Sequence, residues 1–120
     1  MAYDDKNIFA MILRGEIPCN KVYEDDFALA FKDINPQAKV HTLVIPKGPY
    51  VSFDDFSTQA SEAEIVGFFR AVQKTAAIEG VVDSGYRLLA NHGEDSKQEV
   101  PHFHVHIAGG EPLPGLIVPG

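Results

Sequence analysis

The run Pro101-His102-Phe103-His104-Val105-His106-Ile107-Ala108-Gly109-Gly110 places three of the chain's five histidines at alternate positions in an otherwise apolar stretch. A period of two is the period of a β-strand, so the spacing predicts a strand over Val100 to Ala108. His102, His104 and His106 then share one face, and Phe103, Val105 and Ile107 share the other. A core does not take three imidazoles in a row. The histidine face therefore calls for chemistry, with the imidazole nitrogens serving as nucleophile, proton carriers or metal ligands.

Working outward, the flanking segments read as short strands and one long helix. Asn7 precedes the amphipathic run Ile8 to Leu13 as an N-cap, and Gly15 follows it as the residue past the helix end. Lys21 to Glu24 reads as a strand, Asp25-Asp26 as a turn and Phe27 to Asp33 as a second strand, which together make a hairpin. Val40 to Ile45 is a β-prone run closed by Pro46, and Gly48-Pro49 is punctuation. Ser61-Glu62-Ala63-Glu64 has the form of a capping box. Behind it Ile65, Val66, Phe68, Phe69, Val72 and Ala76 recur at helical spacing, so a helix is expected over 61 to 79, ended by Gly80. Gly85 to Ala90 reads as a strand, and Asn91 to Glu99 as a polar loop leading into the histidine run. Hairpin neighbours without βαβ alternation point to an α+β fold: an antiparallel sheet, one long helix and a short N-terminal helix. Residues 1–120 are expected to form a single domain, with 1–5 flexible and 111–120 an extended, proline-rich tail packed on the body.

Composition narrows the function classes. Hydrophobic residues make up 45% and charged residues 22%, the balance of a globular chain. No apolar run reaches the roughly 18 residues that span a membrane. The acidic start Met1-Ala2-Tyr3-Asp4-Asp5-Lys6 lacks the basic and apolar regions of a secretory signal, so a cytoplasmic protein with no membrane partner is expected. The lone Cys19 has no disulfide partner and belongs to no zinc motif; a small buried or half-buried role is expected. A net charge of −7 argues against a general nucleic-acid binder, but not against one phosphate held in a local site.

Three chemistries remain open for the histidine face. A metal centre is one, but three alternate strand positions spread over about 13 Å. A tetrahedral ion would more comfortably take two of these histidines and a third ligand from His41 or His92. Nucleophilic and general acid–base catalysis is the second, in which the middle imidazole attacks phosphorus and its neighbours position groups or carry protons. The third is a binding module whose imidazoles only donate hydrogen bonds to an anion.

The arrangement His102-Phe-His104-Val-His106-Ile-Ala resembles the His-φ-His-φ-His-φ-φ signature, φ being apolar, of the histidine triad nucleotide-binding family. Ile8-Phe9, Gly15-Glu16-Ile17-Pro18, Val22 to Asp26, Leu29 to Ile34, Pro36-Gln37-Ala38 and His41 with Leu43 to Lys47 are similar to the N-terminal half of its Hint branch. Gly85-Tyr86-Arg87 and Asn91-x-Gly93-x-Asp95-x-x-Gln98-x-Val100 carry the likeness into the triad, so that it spans about residues 6 to 110. The resemblance implies a homodimer with joined sheets, and a purine nucleoside monophosphate site in each protomer. It implies His104 as the nucleophile at the α-phosphorus and His106 as donor to a phosphate oxygen or the departing group. His102 and His41 would orient and relay protons. Asp33 would accept from the ribose hydroxyls, beside Ile34, while Ile8, Phe9, Ile12, Ile17 and Phe31 would form the apolar purine slot. Asn91, Lys97, Gln98, Glu99 and Val105 match positions around the phosphate and leaving group.

Two positions depart from the family pattern. A glycine often stands where this chain has Lys97, and a serine where it has Glu99. A carboxylate beside a phosphate must turn outward, pair with Lys97 or alter the leaving-group preference. His92 matches no family role and is expected to be a solvated loop residue. The function implied is hydrolysis of purine nucleoside 5′-phosphoramidates or acyl-adenylates through a nucleotidyl-histidine, with no metal and no cofactor. The alternatives are dinucleoside polyphosphate hydrolysis, as in the Fhit branch, and a mainly non-catalytic nucleotide-binding or scaffold protein.

Overall fold

The computed structural model describes residues 2–116. Asn7 starts the first helix, α1 (Ile8–Leu13), its side chain accepting the Ala10 N–H at 2.9 Å. Gly15 ends it in the left-handed region at φ +77°, where a side chain is disfavoured. The strands are β1 (Lys21–Glu24), β2 (Ala28–Lys32) and β3 (Val40–Pro46), then β4 (Tyr86–Leu89) and β5 (Val105–Gly109). Between β3 and β4 lie two helices, α2 (Phe53–Gln59) and α3 (Glu62–Ile78). The five strands form one sheet in the order β1-β2-β3-β5-β4, every pair antiparallel.

Both faces of the sheet are covered. Ala28, Ala30, Val44, Val105 and Ile107 pack with Phe56, Phe68, Ala71 and Val72 of the helices in one cluster. Leu29, Phe31, Leu43 and Ile45 turn the other way, onto Phe9 of α1. Double coverage is why β2 and the end of β3 read as continuous apolar runs rather than alternating ones. The capping box of α3 forms as its sequence indicates, with the Ser61 hydroxyl accepting from Glu64 N and Glu64 accepting from Ser61 N, both at 3.1 Å.

The histidine strand is shorter than the alternation suggests: pairing begins at Val105, not Val100. Pro101 has no N–H to give, and the segment after it bonds to the last residue of β3 and to the chain beyond it instead of joining a ladder. Phe103 N donates to Tyr50 O at 2.8 Å, and the His102 ring reaches Pro46 O. The two-faced arrangement survives without the ladder, because Phe103, Val105 and Ile107 still point into the helix-side core. The helix α2 has no counterpart in the sequence reading. It is held by Asp55, whose carboxylate accepts from Val51 N and Ser52 N at 2.7 Å each. Strands β2 and β4 are each shorter by a residue at both ends than their sequence patterns, and β3 runs on through Pro46.

Of the N-terminal segment 1–5, expected to be flexible, Tyr3, Asp4 and Asp5 bond to the body, and Met1 lies outside the described residues. Tyr3 Oη meets His102, Asp4 O accepts from the Asn7 side chain at 2.7 Å, and Asp5 O accepts from Arg14 Nη1 at 2.8 Å. In the tail, Lys39 N donates to Glu111 Oε2 at 2.7 Å and Arg87 Nη2 to Pro114 O at 3.0 Å. Residues 117–120 of the expected tail lie outside the described residues. Among the described residues, no helix is long and apolar enough to cross a membrane.

Candidate active site

The register of β3 against β5 sets His41 opposite Ala108 and Leu43 opposite His106. His41 and His106 are therefore diagonal neighbours on the α1 face, and the bond between them is read from its outer end inward. The backbone N–H of Gln37 donates to His41 Nδ1 at 3.0 Å. An N–H can only donate, so the proton of neutral His41 sits on Nε2. That nitrogen is 2.9 Å from His106 Nδ1 and 3.4 Å from Asp33 Oδ2. His106 Nδ1 then accepts, and its own proton sits on Nε2. This last N–H is buried and has no partner among the described residues.

His104 is assigned in the same way. Its Nδ1 lies 2.7 Å from the carbonyl oxygen of His102, which can only accept. The Nδ1 proton is spent there, so the lone pair is on Nε2. The Phe9 ring stands edge-on to this imidazole at 5.0 Å, and His106 stands at 5.1 Å between centroids. Burial holds the His104 pKa below the ordinary histidine value, against the opposing pull of its bond to the His102 carbonyl and of Asp33 and Glu99. Burial also pushes His106 down to about 4, helped by His104 and His41. Both rings are neutral near pH 7, one offering a lone pair and the other an N–H.

These groups sit in the wall of a cavity of about 570 Å³. One side is apolar, built from Ile8, Phe9, Ile12, Ile17, Phe31 and Leu43. The other is polar, with Asp33, His41, His104 and His106 inside and Asn91, Lys97 and Glu99 near the 91–99 loop. Ile34 lines it too, although 97% exposed. An apolar slot ending in a few convergent polar groups is the form of a small-molecule site.

Three of the expected residues lie elsewhere. His102 is fully buried behind His104, donating from Nε2 to Pro46 O at 2.8 Å, with Tyr3 Oη 2.6 Å from its Nδ1. Burial takes its pKa down to about 4. Gln98 braces the loop from inside: its amide nitrogen donates to Val51 O and Val100 O, and its oxygen accepts from Gly93 N. Val105 faces the helix-side core, since alternation turns it away from the histidines. His92 is exposed as expected, but its Nδ1 is 2.6 Å from Ser52 Oγ. Lys97 takes a left-handed backbone at φ +62°, a conformation that suits glycine. It forms no ion pair with Glu99 among the described residues, and both line the cavity.

Residues 14–113 match the family model described as HIT domain. The chain belongs to the HIT family. It is 59% identical over 118 residues to a HIT-like protein of Azospirillum brasilense, covering 98% of this chain and 97% of that one. It is 40% identical over 109 residues to the purine nucleoside phosphoramidase of Escherichia coli K12, covering 91% of each. Among solved structures it is similar to a histidine triad protein from Clostridium difficile, with a TM-score of 0.84 at 42% identity over 96% of this chain and 98% of that one.

Within this HIT domain, sequence reasoning missed Gln37, Cys19 and Asn20, which also line the cavity. Gln37 acts through its backbone N–H, which leaves no mark on residue type. Cys19 and Asn20 border the slot because they follow Ile17-Pro18, and adjacency to that pair was the available signal. Asp33, His41 and His106 form the described group able to hold a metal ion, their ligand atoms lying within 4.8 Å of one another. The facing nitrogens of the two histidines are already engaged with each other.

Proposed function

We propose that this HIT protein hydrolyses purine nucleoside 5′-phosphoramidates or acyl-adenylates through a nucleotidyl-His104 intermediate, releasing the nucleoside monophosphate. The observation that carries this reading is the pairing of His104 Nε2, a lone pair with its ring neutral, with His106 Nε2–H, a buried donor without a partner among the described residues. A buried unpaired N–H is costly and asks for an acceptor, and a phosphate oxygen is one. The name of the Escherichia coli relative, purine nucleoside phosphoramidase, points the same way.

In the proposed course the purine enters the Ile8, Phe9, Ile12, Ile17 and Phe31 slot, and Asp33 accepts from the ribose. His104 Nε2 bonds to the α-phosphorus as the P–N bond to an amine, which takes a proton from solvent, or the P–O bond to a carboxylate breaks. The imidazole becomes cationic at that moment, and the His102 carbonyl already faces its Nδ1–H, so the new charge meets a fixed dipole. His106 Nε2–H donates to a phosphate oxygen. Water then bonds to the phosphorus and gives up a proton to solvent as the P–N bond to His104 breaks and the neutral imidazole returns, and Asn91, Lys97 and Glu99 border the path of the leaving group.

The working form is taken to be a homodimer. Among the described residues strand β4 pairs only with β5, and Tyr86, Leu88 and Leu89 on it are all at least 36% exposed.

The test is hydrolysis of adenosine 5′-phosphoramidate by the wild type and by His104→Asn. The variant is expected to lose about 10⁴-fold or more in kcat while still binding adenosine monophosphate. Turnover by the variant at the wild-type rate would remove His104 from the role of nucleophile.

A further inference from the structure

We infer that Tyr3 is a positioning residue of the active centre: its hydroxyl donates to His102 Nδ1 and holds that ring in place, and the His102 carbonyl in turn aims His104. This rests on the reading of His104 as the nucleophile. The His102 ring is wholly buried, and both its nitrogens are taken. Because Pro46 O can only accept, His102 Nε2 holds the proton and Nδ1 presents a lone pair. Tyr3 Oη, 2.6 Å away, is the donor to that lone pair. The two rings also meet edge to face at 5.6 Å, so Tyr3 supplies packing and a hydrogen bond together.

The segment carrying Tyr3 is built into the site. Asp4 O accepts from both Asn7 N and Asn7 Nδ2, and the same Asn7 caps α1. One turn on, Phe9 touches the rings of His104 and His102, with centroids at 5.0 and 6.4 Å. Tyr3 and Phe9 thus brace the two histidines, Tyr3 on His102 and Phe9 on both. Tyr3 itself does not line the cavity. Loss of the hydroxyl leaves a buried imidazole nitrogen without a donor, and that nitrogen can regain one only if the ring turns and gives up its bond to Pro46 O. That motion shifts the residue whose carbonyl holds the His104 Nδ1 proton. The effect belongs in kcat, since no substrate contact is removed.

The test compares Tyr3→Phe, which keeps the ring, with Tyr3→Ala in the full chain, using adenosine 5′-phosphoramidate turnover and the ring ¹⁵N resonances of the histidines. Tyr3→Phe is expected to lower kcat about tenfold with KM changed by less than about twofold. The His102 Nδ1 resonance should move toward that of an unbonded imine nitrogen. Tyr3→Ala, which also loses the ring, should lower the melting temperature as well. A Tyr3→Phe protein with wild-type kcat, or with reduced kcat but unmoved His102 resonances, overturns the inference. His104→Asn run beside it separates the two readings: if that variant is active the nucleophile is misassigned, whatever Tyr3 does. If it is inactive while Tyr3→Phe is fully active, the positioning role alone fails.

Discussion

Buried imidazoles kept neutral have two consequences, one for stability and one for activity, that can be measured apart. His102 and His106 have folded pKa values of about 4, below the ordinary 6.5, because burial penalises their charged forms. The unfolded chain therefore binds more protons between those values. The stability these groups carry is present above pH 6.5 and is lost as pH falls toward 4. Thermal melts are expected to show a falling midpoint across that window, and a shallower fall in His106→Asn, which has one fewer such group. A slope unchanged in the variant would contradict the burial argument. Activity responds differently: His104 is held below the usual histidine range, so its lone pair stays available in mild acid and the acid limb of kcat/KM should lie below pH 6.5. A limb centred above 6.5 would mean that His104 is not the group titrating. Lys97 is the other residue with a measurable conformational cost. Its φ of +62° is strained for a side-chain-bearing residue, so Lys97→Gly should raise stability by about 0.5–1 kcal/mol in denaturant unfolding. A loss of stability would mean that the lysine side chain contributes more than its backbone costs.

At the scale of elements, the strength of the sequence signal tracked how local its cause was. Asn7, Gly15 and the Ser61 capping box announced α1 and α3 because caps are set by residues three or four apart. The Lys21–Lys32 hairpin was legible for the same reason. Helix α2 was not, since Phe53-Asp54-Asp55-Phe56-Ser57 lacks an extended apolar stripe. Its start is marked only by Ser52 and Asp55, whose carboxylate ties down two backbone N–H groups. Asp55→Ala is expected to lower unfolding free energy by about 1–2 kcal/mol, read from chemical denaturation, and no loss would show that α2 is held by Phe56 packing alone. The histidine run taught the opposite lesson. Its period of two correctly sorted Phe103, Val105 and Ile107 from the histidines, yet the strand itself starts only at Val105, because strand pairing is decided by distant partners. The same remoteness hid the role of Tyr3. Position 3 meets position 102 only after folding, and nothing in the local pattern near either residue marks the contact.

For the molecule as a whole, the sheet divides the labour between its faces and, among the described residues, leaves its edge strands β1 and β4 with one partner each. Helix α3 covers one face, while α1 and the histidines occupy the other, so the chemistry lies away from the long helix. The order β1-β2-β3-β5-β4 puts β4 at an edge next to the strand that carries His106, with Leu89 directly opposite that histidine. An edge strand with Leu88 and Leu89 exposed at 46% and 41% is a liability for a lone chain, and is relieved if a second copy extends the sheet. Sedimentation is therefore expected to find two chains per particle, and Leu88→Glu to shift the population toward one, because a carboxylate on this apolar edge would lose its water if a second chain covered it. Since the same edge strand backs His106, separation of the chains should lower kcat as well, with the His104 tautomer unchanged because its bond to the His102 carbonyl lies outside the ladder. A wild type that sediments as a single chain at assay concentrations would refute the paired edge and confine catalysis to the isolated protomer.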